Sequence, residues 1–345
     1  MSIYFLAIFI SFILNAVLIV PFIDFLYRLK FQRISQKTKD AFDKLTPVFD
    51  KYHGHKAGIP TGGGILTVIT TVFLYSFLLF LFVLFNKPLQ SNFPSLIAEI
   101  KIILFAFIGF ALLGVYDDLS KIFFWKKNQF HGLRLRHKAV LELILAGIIA
   151  WWLFSDLKIS IINIPFFGVW NIGWLYILLA TFIIVAFANA VNVTDGLDGL
   201  ASGVMMIALI SFWVIARAIL DVPTTLFIGV WLGGLIAFLY FNIHPARLFL
   251  GDTGALSFGA TFATIGLILG KSLSLTIIGG IFVAEIFTSL VQLLSKRFLK
   301  RKIFPVSPLH LWLQARGWEE SKIVMRFWII SVLCSFFGLM LAFLK

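Results

Sequence analysis

Long apolar segments constrain the fold of this chain more than any other feature of its sequence. A helix needs about 20 mostly apolar residues to cross the hydrocarbon core of a bilayer, and about ten such segments follow one another here. They lie near residues 3–27, 60–86, 97–116, 138–155, 173–191, 200–220, 224–243, 254–270, 272–295 and 323–344. Hydrophobic residues make up 60% of the chain and charged residues only 13%, which excludes a water-soluble globular domain. We therefore predict an all-α polytopic membrane protein that forms a single integral-membrane domain over residues 1–345.

The distribution of basic residues predicts the orientation of the helices. Of the 29 Lys and Arg residues, 23 lie in the connections that follow the first, third, seventh and ninth predicted spans, or flank them. By the positive-inside rule these odd-numbered loops are cytoplasmic, and both termini lie outside. Attraction of such loops to an anionic inner leaflet accounts for the net charge of +13, and we expect no nucleic-acid partner. Segment 157–172 alternates in polarity and is rich in β-branched residues, which predicts a small external β-hairpin.

Five short polar stretches contain nearly all of the ionisable chemistry. They are HGHKAGIPTGGG at 53–64, GVYDDLSK at 114–121, NAVNVTDGLDG at 189–199, NIHPARLFLGDTG at 242–254 and PLHLWLQARGW at 308–318. Because alternate loops of a helical membrane protein face the same compartment, we expect these five cytoplasmic loops to converge and form one active site.

Aspartates in three of these loops indicate the kind of chemistry. Asp117 and Asp118 close the third predicted span, Asp195 and Asp198 follow the fifth, and Asp252 follows the seventh. Charged side chains at the ends of spans are costly and usually functional. Mg²⁺ prefers carboxylate oxygens together with water and phosphate oxygens, and phosphoryl transfer uses such an ion. The aspartates therefore predict a site for metal and phosphate chemistry.

The neighbouring residues fit the same chemistry. Lys56, Lys121 and Lys138 could hold anionic oxygens, and the glycines of PTGGG and GDTG allow a close approach of the backbone to phosphate. Helix packing explains the glycines at 62–64 equally well, because small residues also serve contacts between membrane helices.

In order and spacing, the five motifs resemble those of the polyprenyl-phosphate N-acetylhexosamine-1-phosphate transferases. GIPTGGG, PLH and GWEESKIVMRFWII are similar to the phospho-N-acetylmuramoyl-pentapeptide transferase branch. The resemblance implies ten spanning helices, a Mg²⁺ cofactor, a homodimer and a cytoplasmic active site in the bacterial inner membrane. It also implies transfer of phospho-MurNAc-pentapeptide from its UDP conjugate to undecaprenyl phosphate, which yields UMP and lipid I for peptidoglycan synthesis.

The same resemblance implies roles for individual residues. Asp252 is the implied principal metal ligand, Asp117 the implied base or nucleophile, and Asp118 its neighbour in handling the metal or the lipid phosphate. The implied substrate-binding residues are Lys56, Thr61, Lys121, Lys138, Asn192, Asp195, Asp198, Asn242, Phe249 and His310. Where the family has three consecutive histidines after PL, this chain has His310 followed by Leu311 and Trp312, a departure that bears on recognition of the sugar and peptide.

Three other functions remain open from the residues. A sister transferase would use UDP-GlcNAc or a related sugar nucleotide with the same chemistry. An ion-coupled transporter would need ionisable groups near the middle of the membrane, and Glu142 and Glu285 are the main candidates. A catalytically weakened scaffold is the third. Direct attack by the lipid phosphate and a covalent phospho-enzyme both remain open as mechanisms.

Overall fold

The computed structural model describes residues 2–33, 50–52, 54–123 and 135–344. The helices of this part of the chain are α1 (Ser2–Arg28), α2 (Gly63–Leu84), α3 (Leu96–Phe123), α4 (Leu135–Ser155), α5 (Leu175–Thr194), α6 (Leu200–Ala218), α7 (Val222–Asn242), α8 (Gly251–Ile268), α9 (Ser272–Ile278), α10 (Gly280–Leu294), α11 (Leu309–Ala315) and α12 (Glu320–Phe343). A single 3₁₀ turn, Gly54–Lys56, precedes α2, and a π-helical turn, Ser295–Leu299, extends α10.

The predicted all-α membrane architecture is confirmed. Eight of the described helices, α1 to α7 and α12, are long and apolar enough to cross a membrane, and α9 with α10 forms a ninth candidate bent by 81°. Burial differs sharply among them: 89% of the apolar window of α7 is buried, but only 22% of that of α1. Helix α7 therefore lies at the centre of the bundle, and α1 presents most of its surface to lipid.

Helix α8, which is 18 residues long, is not among these nine candidates. All of its residues from Thr253 to Ile268 are buried, so none of its faces needs to match lipid. Two of its hydroxyl groups donate to backbone carbonyls: Ser257 Oγ to that of Phe107 at 2.6 Å, and Thr264 Oγ1 to that of Ala260 at 2.8 Å. A helix that is buried on all sides can therefore contain these polar side chains. Whether α8 crosses the membrane is not settled by its length and composition, and the number of ten spans stays a prediction.

Aromatic side chains fill the space between α3, α7 and α8. Trp231 on α7 lies 5.3 Å from the ring centroid of Phe107 and 5.0 Å from that of Phe258, and Phe227 packs edge-on against Phe107 at 5.2 Å. Offset and edge-to-face contacts of this kind stabilise a core beyond the area that they bury. The core holds α8 firmly beside α3.

Small residues then let the ends of these helices approach one another. A Cβ atom at Gly64 on α2 would lie 2.3 Å from the Cα atom of Gly254 on α8, and one at Gly114 on α3 would lie 2.4 Å from the carbonyl oxygen of Asp252. Only glycine fits at such separations. This close contact places the end of α3 directly against the start of α8, where the predicted aspartates lie.

The predicted β-hairpin is also confirmed, and its external position stays a prediction. Strands β1 (Ile161–Ile164) and β2 (Gly168–Asn171) pair antiparallel, with Ile161 opposite Asn171 and Ile164 opposite Gly168. The hairpin connects α4 with α5, at the end of the bundle opposite the polar loops.

Candidate active site

Four charged side chains from three helices meet at the junction of α3, α4 and α8. The ammonium of Lys138 lies 3.0 Å from Asp117 Oδ2 and 2.8 Å from Asp252 Oδ2. The ammonium of Lys121 lies 3.3 Å and 2.7 Å from the same two oxygens. Two carboxylates and two ammonium groups therefore share one small volume, which we call the Asp–Lys cluster (Asp117, Lys121, Lys138 and Asp252).

The secondary structure explains why these four residues meet. Asp117 and Lys121 are four residues apart near the end of α3 and so lie on the same face of the helix. Lys138 stands in the first turn of α4, and Asp252 in the first turn of α8. An acidic residue is favourable at a helix N-terminus, where unpaired backbone N–H groups point outward.

Asp118 has a different environment from its neighbour. Its Oδ1 accepts a hydrogen bond from the backbone N–H of Asp252 at 3.0 Å, and its Oδ2 accepts from the backbone N–H and the hydroxyl of Thr253 at 3.0 and 2.7 Å. Leu250, which precedes α8, offers no side-chain cap of its own. Asp118 thus caps α8 from another helix and fixes the position of Asp252. Its predicted part in handling metal or lipid phosphate stays a prediction.

A second charged group lies between the first loop, the loop after α5 and the start of α12. Lys56 Nζ is 2.7 Å from Asp198 Oδ1 and 2.5 Å from Glu320 Oε1, and all three side chains are buried. Glu320 also accepts a hydrogen bond from the backbone N–H of Asp198 at 2.6 Å, and His244 Nδ1 lies 3.0 Å from Asp198 Oδ2. We call this the Lys56 cluster (Lys56, Asp198, His244 and Glu320). It joins segments that are far apart in the sequence.

The two aspartates after α5 are shifted in opposite directions. Burial, followed by the charge of Asp252, raises the pKa of Asp195 well above its usual 3.8. Burial would also raise the pKa of Asp198, but the charge and hydrogen bond of Lys56 outweigh it and hold that pKa below 3.8. Asp198 is therefore a fixed anion at neutral pH, whereas a cation near Asp195 would favour its ionised form.

The glycine motif before α2 lies alongside the segment before α8. The backbone N–H of Gly63 donates to the carbonyl of Phe249 at 2.8 Å, and that of Phe249 donates to the carbonyl of Pro60 at 2.9 Å. The ring of Phe249 lies 6.0 Å from the ammonium of Lys56. Asn242 accepts from the backbone N–H of Gly199 at 3.2 Å and thereby holds the loop after α5.

His310 approaches the same loop from α11. A Cβ atom at Gly196 would lie 2.4 Å from His310 Nε2, so the imidazole touches the loop that carries Asp195 and Asp198. On its other side, His310 Nδ1 lies 3.0 Å from Glu285 Oε2.

The structure thus gathers at one end of the bundle most of the residues that the sequence singled out. Asp118 holds the start of α8 and with it Asp252 of the Asp–Lys cluster. The loop after α5 contributes Asp198 to the Lys56 cluster and contacts His310 at Gly196. Thr61 donates its backbone N–H to the carbonyl of Phe31 at 3.1 Å and lies beside the same end, and Asn192 occupies the last turn of α5. Their roles in binding substrate stay predictions.

Two members of the Lys56 cluster did not appear among the predicted site residues. Glu320 stands in GWEESK next to the last predicted span, where an acid is costly, and His244 lies inside the NIHPAR motif. Acidity at the end of a span was the signal that could have identified Glu320. For His244, its place inside that motif was the signal.

The carboxylate oxygens of Asp117 and Asp252 make the Asp–Lys cluster a candidate magnesium site. Oδ2 of Asp117 and Oδ2 of Asp252 both contact the same two ammonium groups, so the two oxygens are near enough to serve one cation. Magnesium binds one or two such carboxylates and keeps water and phosphate as its other ligands. Oxygens of Asp198 and Glu320 and a ring nitrogen of His244 lie within 4.8 Å of one another and form a second candidate cation site, where Lys56 contacts both carboxylates.

Known proteins resemble this chain over almost its full length. The phospho-N-acetylmuramoyl-pentapeptide-transferase of Caldanaerobacter subterraneus subsp. tengcongensis is 38% identical over 316 residues, which are 91% of both chains. Those of Clostridium perfringens and Geobacillus sp. are 37% and 34% identical over 96% and 97% of this chain, and over 94% and 96% of their own. This chain belongs to the phospho-N-acetylmuramoyl-pentapeptide transferase family.

A broader match agrees with that family. The profile of glycosyl transferase family 4 matches residues 100–270, a stretch that includes the Asp–Lys cluster, Asp195 and Asp198. Lys56, His310 and Glu320 lie outside it. The Asp–Lys cluster and the two aspartates after α5 therefore lie in the part of the chain that matches this broader family.

An apolar groove runs between α2 and α3 beside the Asp–Lys cluster of this transferase. Its volume is about 770 Å³, and Thr253, which binds Asp118, stands among the residues that line it. The others are Ile65, Val68, Ile69, Val72, Phe73, Ser76, Phe77, Phe80, Ile108, Ala111, Leu112 and Val115. Such a lining suits an acyl or isoprenoid chain and not a charged nucleotide.

Proposed function

We propose that this transferase moves phospho-MurNAc-pentapeptide from UDP-MurNAc-pentapeptide to undecaprenyl phosphate, with lipid I and UMP as products. Membership of the family supports the reaction, and the Asp–Lys cluster is the observation that carries it. Two lysines converge on two carboxylates beside a groove suited to a lipid chain. This arrangement can hold a sugar nucleotide's diphosphate on one side and an isoprenoid phosphate on the other.

The chemistry requires a phosphate oxygen of the lipid to attack the β-phosphorus of the sugar nucleotide. A new P–O bond forms between the lipid phosphate and the β-phosphorus. The bond from the β-phosphorus to the bridging oxygen breaks, and its electron pair leaves with UMP. Asp117 orients or deprotonates the attacking phosphate, and Lys121 and Lys138 bind the negative oxygens of the diphosphate and of departing UMP. Direct attack needs only positioning and neutralisation of charge, which these residues supply.

Asp252 and Asp117 would hold Mg²⁺, which neutralises the diphosphate and stabilises the leaving phosphate when it is bound. Family membership makes a divalent metal the general expectation, and the all-oxygen donors favour Mg²⁺ over softer metals. A dialysed enzyme should lose turnover with EDTA and regain it with Mg²⁺.

We place the active site on the cytoplasmic side of the bacterial inner membrane, with both termini outside. The concentration of basic residues in the loops of this end supports that orientation. Reaction of the variants Lys300→Cys and Phe166→Cys with a membrane-impermeant maleimide, in a Cys334→Ser background, tests it. In intact spheroplasts, Phe166→Cys should react and Lys300→Cys should not. The homodimer that the resemblance implies stays a prediction, which cross-linking in native membranes tests.

The experiment that tests the reaction is UMP release with a panel of donors. Purified enzyme with undecaprenyl phosphate and Mg²⁺ should release UMP from UDP-MurNAc-pentapeptide and not from UDP-GlcNAc. Turnover with UDP-GlcNAc alone would assign the chain to the sister activity. No turnover with either donor, combined with ion flux in proteoliposomes, would favour a transporter.

A further inference from the structure

A short, strongly basic segment follows α10. Residues 295–304, which we call the basic hook, contain five cations: Lys296, Arg297, Lys300, Arg301 and Lys302. No acidic residue stands between Glu285 and Glu319 in the sequence. The cations at 300–302 are exposed, and none of them forms an ion pair with a residue that the structure describes. The hook therefore presents positive charge that the protein does not neutralise locally.

The backbone of the basic hook is held in a sharp reversal. The buried side chain of Gln292 accepts hydrogen bonds from the backbone N–H groups of Ile303 and Phe304 at 3.2 and 3.0 Å. Its amide group donates to the carbonyl of Phe304 at 2.8 Å. At the turn, Lys300 has a φ of 53°, in the left-handed region. One buried amide thus fixes both ends of the segment that carries the cations.

Large apolar side chains stand among these cations. Phe298, Leu299 and Ile303 are 72%, 55% and 51% exposed. Exposed apolar residues, three and four positions apart, lead up to them along α10: Phe287, Leu290 and Leu294. Residues with this spacing lie on one face of a helix. Since α10 belongs to a candidate membrane span, the hook continues a lipid-facing surface at the end of that span.

The two properties together fit the surface of a bilayer. A loop that met only water would gain nothing from three exposed apolar side chains, whereas acyl chains accommodate them. Clusters of Lys and Arg directly beyond a membrane helix attract anionic headgroups. The guanidinium of Arg297 lies 5.6 Å from the ring centroid of Phe298, so that charge and apolar surface occupy the same edge of the hook. Long basic side chains can reach headgroups from such a position.

We propose that the basic hook is a binding site for anionic phospholipid headgroups, with its exposed apolar side chains inserted among the acyl chains. A zwitterionic phospholipid fits less well, because its own cationic group is repelled by the hook. The inference goes beyond the proposed function, since the ligand is neither substrate. The hook leads through a short connection into α11, which places His310 against the loop after α5, so a bound lipid would also fasten this segment.

The preference for an anionic headgroup can be measured at the hook itself. In a Cys334→Ser background, Leu294→Cys carries a bimane fluorophore on the exposed stripe at the end of α10. Bilayers contain either brominated phosphatidylglycerol or brominated phosphatidylcholine, and the ratio of their quenching constants gives the preference of this position. We expect phosphatidylglycerol to be preferred by about 5-fold or more, which is the contribution of one basic residue near an anionic surface.

Removal of the charge should remove this preference. The triple variant Lys300→Gln, Arg301→Gln and Lys302→Gln should reduce it to less than about 2-fold. The fold should persist, because all three side chains are exposed. A second measurement needs no charge variant: in about 1 M NaCl, where the screening length is about 3 Å, the preference with the natural hook should fall to a similar value.

The end of α1 provides the matched control. Phe25→Cys places the same fluorophore at an exposed position shortly before Arg28 and Lys30, a span end with only two nearby cations. The preference there should stay below about 2-fold with and without the triple substitution. An equal preference at both labelled positions would assign the effect to the average charge of the protein surface and overturn the proposed site. A preference near α10 that neither the triple substitution nor salt reduces would overturn it as well.

A last arm distinguishes phospholipid from the lipid substrate. Unbrominated undecaprenyl phosphate should relieve the quenching at Leu294→Cys no better than the same concentration of unbrominated phosphatidylglycerol. If it were about 10-fold more effective, the hook would belong to the acceptor substrate and the proposal would be wrong. None of these measurements requires turnover, so they stand or fall separately from the proposed reaction.

Discussion

Replacement of Asp118 tests whether its cap on α8 holds Asp252 in the Asp–Lys cluster. The carboxylate caps α8 with three hydrogen bonds, from the backbone N–H groups of Asp252 and Thr253 and from the Thr253 hydroxyl. A hydrogen bond to a charged group contributes about 1.5–3 kcal/mol, and a charge at a helix terminus adds about 0.3–1 kcal/mol. Asp118→Asn can keep the two bonds at Thr253 but turns its amide group toward the N–H of Asp252.

We therefore expect Asp118→Asn to lower the free energy of unfolding by about 2–3 kcal/mol, from one lost bond and the lost charge. Asp118→Ala leaves all three donors without a partner and should cost about 3–5 kcal/mol, as loss of one member of a buried charged pair does. Unfolding in mixed micelles, followed by tryptophan fluorescence, measures both values. Thr253→Val removes only the hydroxyl donor and should cost about 1 kcal/mol, while Thr253→Ser should cost little.

Turnover should fall in both Asp118 variants, because Asp252 loses the contact that positions it. The order of stabilities, with Thr253→Val between the wild type and Asp118→Ala, identifies the cap as the cause. If Asp118→Asn unfolded like the wild type and yet had no activity, Asp118 would act on the substrate and the capping argument would be refuted.

Three further perturbations follow from the same contacts. Lys56→Met leaves Asp198 and Glu320 without their shared counter-ion and should cost about 3–5 kcal/mol, part of which the added change Glu320→Gln should restore in a double-mutant cycle. Gly64→Ala places a methyl group 2.3 Å from backbone and should cost about 1–3 kcal/mol of unfolding free energy; a wild-type value would contradict the close helix contact. Because the pKa of Asp195 is raised in the fold, its ionisation destabilises the ligand-free protein progressively as pH rises above 3.8. Asp195→Asn should therefore be more stable than the wild type at pH 7 and equal to it below pH 3.8, and it should have little activity.

Apolar length and the positions of charges were enough to predict most of the fold. Windows of about 20 residues match the described helices closely, since the bilayer imposes that length on any spanning helix. Helix α8 also matches its window, 254–270, although it is less apolar than the others; three of its four hydroxyl groups donate hydrogen bonds inside the bundle. The bend of 81° between α9 and α10 was not predicted, because the glycines at the break are equally common in straight membrane helices.

For the active site, the sequence predicted which loops meet but not how the side chains divide the work. Asp117 and Asp118 are adjacent and look alike in the motif, and yet one faces two lysines and the other caps a helix. Helical rotation of about 100° between neighbours sends them to different partners, and those partners come from distant segments. The pairing of Lys56 with Glu320, 264 positions away, could not be read from local spacing.

The most direct test of the central claim is UMP release by variants of the Asp–Lys cluster. Wild-type enzyme, Asp117→Asn and Asp252→Asn should be compared with UDP-MurNAc-pentapeptide, undecaprenyl phosphate and saturating Mg²⁺. We expect both variants to fold and to lose at least about 100-fold in turnover, as loss of a group that stabilises transition-state charge does. Near-normal turnover by either folded variant would show that the reaction does not depend on the carboxylates gathered between α3 and α8.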